Sequence, residues 1–279
     1  MSIAGVGASI EQIGKLPERN TSKLRFGKHV KLFTDGAFFS QLMQLGSPGY
    51  IDGHDGEWLM PPEQFESMAR MLWNKGLCIH VHCTGDLGLE LALDVLEKLQ
   101  WERPRFNHRF TIEHFGISTS AQARRIADLG AIVSANPYYI YELSDIYARE
   151  GVGFERASQM VRLGSLSRNG VPFALHSDYT MAPARPLQNA WIAANRINAA
   201  GDILCPGERV SIEEALRAIT INAAYVLGLE HEIGSISAGK KADFTVLEAD
   251  PFEVPAENLR DIPIWGTVFE GNAFPLRKR

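Results

Sequence analysis

Hydrophobic and polar positions along this chain alternate between two rhythms. Short apolar runs at His29–Asp35, Leu77–Cys83, Arg109–His114, Ala131–Ala135 and Pro172–Ser177 predict strands. Between them the apolar residues recur at helical spacing. Phe65, Met68, Ala69 and Leu72 mark a helix over Glu63–Lys75 that Gly76 stops, and Leu89, Leu93, Leu96 and Leu99 mark another over Leu87–Leu99. Ser118–Leu129, Ala157–Arg168, Pro186–Ala199 and Ile212–Leu227 predict four more. Strands that alternate with helices imply parallel pairing through helical crossovers, an α/β fold. After Leu227 the rhythm changes to short β-like runs, Ala242–Leu247 and Ile262–Glu270, set off by Gly and Pro. The pattern divides the chain into a polar leading segment over residues 1–28, an α/β unit over 29–228 and a β-rich appendage over 229–279.

Several predicted strands end in a polar or ionisable residue: Asp35, His82, His114 and Asp178. In parallel α/β folds the chemistry collects at the carboxyl ends of strands, so these residues could converge on one point. Lys31 sits beside Val30, Leu32 and Phe33, where a buried ammonium is costly unless paired, deprotonated or modified. From this segment alone, a lysine reaching solvent from the strand start is the simpler reading. His80 and His82 share one strand face, a spacing that suits metal ligation, with His82 nearer the carboxyl end and His80 one layer deeper. Ile112 and His114 share a face by alternation, which turns Glu113 away as a surface or orienting group, and His114 alone is as readily structural as functional. Asp178, with His176 on its face, could hold a metal and take a proton from water, or could cap the following turn. Asn136 and Tyr138, in the Asn-Pro-Tyr-Tyr run, could line a pocket or simply pack. His54 lies in a turn-forming stretch and reads as surface, while His29, His108 and His231 have no supporting pattern.

Composition narrows the class. With 28 basic and 33 acidic residues the net charge is −5, which offers no basic footprint for nucleic acid. An apolar content of 45% is enough for a folded core. No apolar run reaches the ~18 residues of a membrane helix, and Met1–Gly14 lacks a basic start followed by an apolar stretch, so a cytoplasmic protein is the expectation. Three cysteines argue against a disulfide framework, Cys78 and Cys83 should face opposite sides of their strand, and no CxxC pair suggests zinc.

Taken in order, Val-Lys-Leu-Phe-Thr-Asp-Gly, His-Val-His-Cys-Thr-Gly-Asp, Ile-Glu-His-Phe and His-Ser-Asp resemble amidohydrolase family 3, the group of N-substituted formamide deformylases and related imidases. The tail, Ala218-Ile-Thr-Ile-Asn-Ala-Ala and then Ile233-Gly-Ser-Ile-Ser-Ala-Gly-Lys-Lys-Ala-Asp-Phe, resembles that family's passage from barrel to small β-sandwich. The resemblance covers about residues 24–273 and implies a (β/α)8 TIM-barrel type with divalent metal, usually zinc, one or two ions, at the strand ends. It implies Lys31, His82, His114 and Asp178 as metal ligands, Lys31 as an N-carboxylated bridge, and Asp178 as the general base. It also places His80, Asn136, Tyr138 and His176 near substrate or behind the ligands. The activity implied is hydrolysis of carbon–nitrogen bonds other than peptide bonds, in amides, formamides or cyclic imides, with a small amide-like substrate as partner and no nucleic acid or membrane.

One family feature is missing. A first-strand His-x-His should precede the lysine, yet the only histidine upstream of Lys31 is His29. At about forty residues per strand–helix unit over residues 29–228, eight units also exceed 279 residues. An incomplete barrel of strands 4–8 with part of the sandwich is therefore expected, corresponding to the family's carboxyl-terminal portion. Two further readings follow: a catalytically inactive fragment that serves as a binding module, and a homo-oligomer that hides open sheet edges.

Overall fold

The computed structural model describes residues 12–21 and 24–276; part of the leading segment therefore lies outside the described residues. Five strands, β1 (His29–Phe33), β2 (Cys78–Cys83), β3 (Thr111–His114), β4 (Ile132–Ala135) and β5 (Phe173–Leu175), form one all-parallel sheet in sequence order. Helices α1 (Pro62–Asn74), α2 (Asp86–Glu102) and α3 (Ser120–Asp128) make the first three crossovers. The sheet does not close on itself: β1 and β5 are its edges. The α/β class and the barrel-type strand order match the sequence expectation, as does a separate small antiparallel sheet of β6 (Phe244–Leu247), β7 (Ile264–Phe269) and β8 (Asn272–Pro275). Among the described residues no helix is long and apolar enough to cross a membrane.

Alternation along the strands creates two unlike faces. Val30, Leu32, Ile79, Val81, Cys83 and Ile112 are buried and belong to one apolar core with Phe65, Met68, Leu72, Leu89, Leu93 and Leu96 of α1 and α2. Lys31, His80 and His82 take the opposite face, because β1 and β2 pair Lys31 with His80 and Phe33 with His82. Helix α3 begins with a reciprocal cap. The Thr119 hydroxyl accepts the Gln122 N–H at 3.2 Å, and the Gln122 side chain accepts the Thr119 N–H at 3.0 Å. Thr119→Ala should lower the unfolding free energy by about 1 kcal/mol, seen as a lower urea midpoint at unchanged slope. An unchanged midpoint would show the cap to be inert.

Two predicted helices are broken, each for a visible reason. The Ile212–Leu227 pattern splits into α7 (Ile212–Ala218) and α8 (Ile221–Val226), following α4 (Gly153–Ser158), α5 (Leu163–Arg168) and α6 (Pro186–Asn195). At the break, the Thr220 hydroxyl donates to the Leu216 carbonyl at 2.7 Å and its backbone leaves helical angles. The Ala157–Arg168 pattern splits into α4 and α5 at Gln159–Arg162, where Val161 has φ 49° and donates its N–H to Gly116. Carbonyls freed by that break are taken by Arg196, a fully buried side chain that donates to Ser158, Met160, Val161 and Leu204 at 2.8–2.9 Å. The segment after β4 is helical, with wide turns at Tyr139–Leu143 and Tyr147–Gly151.

Asp35 is buried structure. Its carboxylate accepts the main-chain N–H of Gln44, Thr84 and Gly85 at 3.1, 3.0 and 2.7 Å, and the hydroxyls of Thr34 and Thr84. This gathers the loop after β1 onto the turn between β2 and α2. Glycine is required there: a Cβ on Gly85 would come within 2.2 Å of the Gln44 carbonyl oxygen, and one on Gly88 within 2.6 Å of the Asp35 carboxylate.

Candidate active site

The polar face of the sheet carries a row of imidazoles toward its carboxyl end. The rings of His82 and His114 stand 4.6 Å apart, centre to centre, and those of His114 and His176 stand 5.1 Å apart. Strict alternation does not produce this. His114 pairs in register with Cys83, whose thiol belongs to the opposite, helix-covered face. His114 and Phe115 have φ 74° and 51°, and this left-handed turn ends the alternation so that the His114 ring comes over beside His82. The face of Glu113, read from alternation as turned away, is correspondingly corrected, while an orienting group remains the reading that its contacts fit. Glu113 shares the polar face with His80, whose Nδ1 lies 2.6 Å from Glu113 Oε1.

Burial and like charge keep these rings neutral. His82 is pushed down to about 4, first by burial and then by the Lys31 ammonium. His114 is driven well below its ordinary value by burial, with His176, His82 and Lys31 adding to the effect. Burial also lowers His176. Both ring nitrogens of His114 are buried without a hydrogen-bond partner, as is Nε2 of His80. Lys31 has its Nζ 5.5 Å from the Phe33 ring centroid, and no described residue accepts a hydrogen bond from it.

Asp178 follows β5, exposed and with φ 50°. Its N–H donates to Nδ1 of His176 at 3.1 Å, its carbonyl accepts from Met181 at 2.7 Å, and no described residue donates to its carboxylate. The negative charge acts on both His82 and His176. Beside it lies a cleft of about 360 Å³ whose lining includes His176, Asp178, Tyr179, Arg185 and Asn189. Asn136, just past β4, is fully buried, with its side-chain oxygen on the Tyr138 N–H. Tyr138 turns its hydroxyl to the Pro183 carbonyl, whereas Tyr139 reaches the histidines: its ring is 6.5 Å from that of His114, and Asp178 acts on its hydroxyl. No pattern in the sequence separated the two tyrosines. His29, which had no supporting pattern, stands edge-on to His80 at 5.1 Å. His54 is held by Asp52 and the Gln41 carbonyl in a loop, stacked on Tyr50, and His231 is exposed beside Glu230.

Neutral, buried imidazoles with unpartnered nitrogens are the donor chemistry that a divalent cation needs. The fit is partial, because among the described residues no three His, Cys, Asp or Glu side chains assemble into a metal-binding group. The charge of Lys31 instead acts on both His82 and His114, and that of Asp178 on His82.

Comparison with known proteins adds an independent line. Residues 4–274 match the amidohydrolase family. The chain is 28% identical over 270 residues to the N-substituted formamide deformylase of Arthrobacter pascens, covering 97% of this chain and 49% of that one. An uncharacterized metal-dependent hydrolase from Pyrococcus furiosus superposes with a TM-score of 0.67 at 31% identity, over 82% of this chain and 47% of its own. A second, from Pyrococcus horikoshii, gives a TM-score of 0.71 at 27% identity over 88% and 50%. The chain thus spans about half the length of the relatives it matches. Sequence and fold agree over nearly all of its residues, and the chain belongs to the amidohydrolase family.

Proposed function

We propose that this chain carries a metal-dependent hydrolase site for carbon–nitrogen bonds other than peptide bonds, in amides, formamides or cyclic imides. The observation that supports it most is the His82–His114 pair, two imidazoles kept neutral at the carboxyl end of a parallel sheet, with Asp178 beside them. In this reading His82, His114, Lys31 and Asp178 hold a divalent metal, with zinc suited to nitrogen and oxygen donors. Lys31 would contribute as an anionic ligand once its ammonium has lost a proton and the free amine has added carbon dioxide with loss of a second. The metal supplies Lewis acidity toward the substrate carbonyl and acidifies water.

The chain's own groups do the rest. Asp178 takes the proton of the attacking water and delivers it to the departing nitrogen, so that an amine leaves neutral. Its carboxylate is free for this, since no described residue donates to it. Tyr139, Asn136 and Tyr138 wall the site between β4 and β5, and the adjoining cleft receives the substituent on the scissile nitrogen.

The test is to refold or purify the 279-residue chain with zinc and bicarbonate, measure bound metal, and assay N-formyl amines and cyclic imides. Stoichiometric zinc that is lost in His114→Ala, together with turnover of either substrate class, is the expected result. Absence of bound metal in wild type would overturn the reading and leave a binding module. Zinc bound equally by His114→Ala would overturn the ligand assignment.

A further inference from the structure

Two residues that line the cleft of about 360 Å³ have no part in the chemistry described so far: Arg185 and Asn189. Arg185 is the residue that begins α6, and Asn189 stands four positions on, so both lie on one side of the helix's first turn. The N–H groups of Gln188 and Asn189 close onto the Arg185 carbonyl at 3.0 and 3.2 Å, which fixes this turn. Arg109, Arg125, Arg156 and Arg168 each meet a carboxylate. Arg185 is exposed, no described residue pairs with its guanidinium, and its charge acts on the Tyr138 hydroxyl in the wall of the site. Asn189 is only 4% exposed, its side-chain oxygen is buried without a hydrogen-bond partner, and no described residue bonds its NH₂ group. Buried amides are ordinarily satisfied, so one left open in the wall of a cleft points to a ligand there.

The cleft also carries the opposite charge. Asp178 and Arg185 border the same space and form no ion pair with each other. A ligand that suits both ends has a nitrogen to receive a proton near Asp178 and an anionic group near Arg185. The planar fork of a guanidinium matches a carboxylate with two parallel hydrogen bonds. The Asn189 amide adds a donor, since a half-turn exchanges its NH₂ and oxygen ends without changing its shape. The positive end of the α6 dipole lies at the same place and favours the same sign of ligand. The volume is at the small end of the range for small-molecule sites, which suits a substituent of a few carbons.

We propose that this cleft is a carboxylate subsite, and that the substrate is an anionic amide whose nitrogen substituent ends in a carboxylate held by Arg185 and Asn189. This rests on the reading of the cleft as the place of that substituent. Arg185 and Asn189 would hold the far end of the substrate and touch no reacting atom. Their contribution is the same in the ground state and the transition state, so it falls on KM and on the choice of substrate.

The experiment compares two probes of one shape, N-formylglycine and its neutral amide N-formylglycinamide, titrated into the metal-free 279-residue chain and followed by calorimetry and by ¹⁵N spectra. N-formylglycine should bind roughly 10-fold tighter or more, the worth of a hydrogen-bonded charge. The preference should vanish in Arg185→Met, which changes an exposed, unpaired side chain and leaves the fold intact. Arg185→Lys should keep part of it, because the ammonium retains the charge and loses the fork. The Asn189 side-chain NH₂ signals, identified by their loss in Asn189→Leu, should move with N-formylglycine and stay with N-formylglycinamide. With zinc loaded, Arg185→Met should raise KM for N-formylglycine by the same factor at nearly unchanged kcat. Equal binding of the two probes by wild type would overturn the proposal, and that measurement needs no variant. So would a preference that survives in Arg185→Met. A preference carried by Arg185 in a chain that hydrolyses neither probe would remove the hydrolase reading and leave the carboxylate subsite standing.

Discussion

Asp35→Ala should be the most damaging single change to the fold, lowering the unfolding free energy by about 3 kcal/mol or more. The carboxylate is buried and is the acceptor for three main-chain N–H groups and two hydroxyls from three separate segments. Each buried donor left without a partner costs roughly 1–3 kcal/mol, while the Leu87 N–H on the Gln44 carbonyl and the Gly46 N–H on Asp86 are the loop's other ties to the start of α2. Asp35→Asn would be only a partial remedy, because its NH₂ group would point at donors. The charge itself adds a signature. Burial raises the Asp35 carboxyl to about 6, even against the donors that lower it. An acid whose folded value exceeds its unfolded value of about 3.9 binds its proton more tightly when folded. Its contribution is therefore complete below about pH 4 and is lost as the pH rises through about 6. Urea unfolding of wild type and Asp35→Ala across pH 4–7 should show the gap between them narrowing over that window. A gap below 1 kcal/mol at pH 4 would mean that Asp35 is not the tie the geometry indicates.

Where the pattern is periodic, sequence and structure coincide. The five parallel strands, their order and the polar row Lys31, His80, His82 follow from alternation and from the strand–helix rhythm. What departs from the pattern does so through single backbone turns. His114 comes beside His82 only because its φ is positive, and no residue type in Ile-Glu-His-Phe announces that. The same turn hides the role of Glu113, which alternation from His114 sends to the wrong face. Thr220 and Val161 each end a helix that apolar spacing would continue, since spacing records which side chains are buried and not where the backbone finds its partners. Asp35 shows a second limit. It has the same position at a strand end as His82 and His114, yet it binds loop amides, and only the donors around it distinguish the two uses. Arg196 is of the same kind: three carbonyls of the 158–161 break and that of Leu204 meet one guanidinium, a convergence that no local motif encodes.

With the site saturated in zinc, Asp178→Asn should lower kcat by about 10²–10⁴-fold while leaving stability nearly unchanged. Asparagine keeps the shape, and its backbone N–H still meets His176 Nδ1, so the left-handed turn at 178 is preserved. The side chain is exposed and accepts no hydrogen bond from a described residue, so the fold gains nothing from its charge. An amide, however, cannot take a proton from water at neutral pH. The substitution therefore separates proton transfer from structure, which alanine at the same site would not do as cleanly. Loss of metal binding in Asp178→Asn would indicate that its carboxylate serves chiefly as a ligand. A loss of kcat with metal and KM retained would identify it as the proton acceptor. If kcat were unchanged, the proton must go elsewhere, and Glu113 is not the substitute: its oxygens are engaged with His80 and Ser134, and it lies beneath the histidines instead of at the cleft that Asp178 borders.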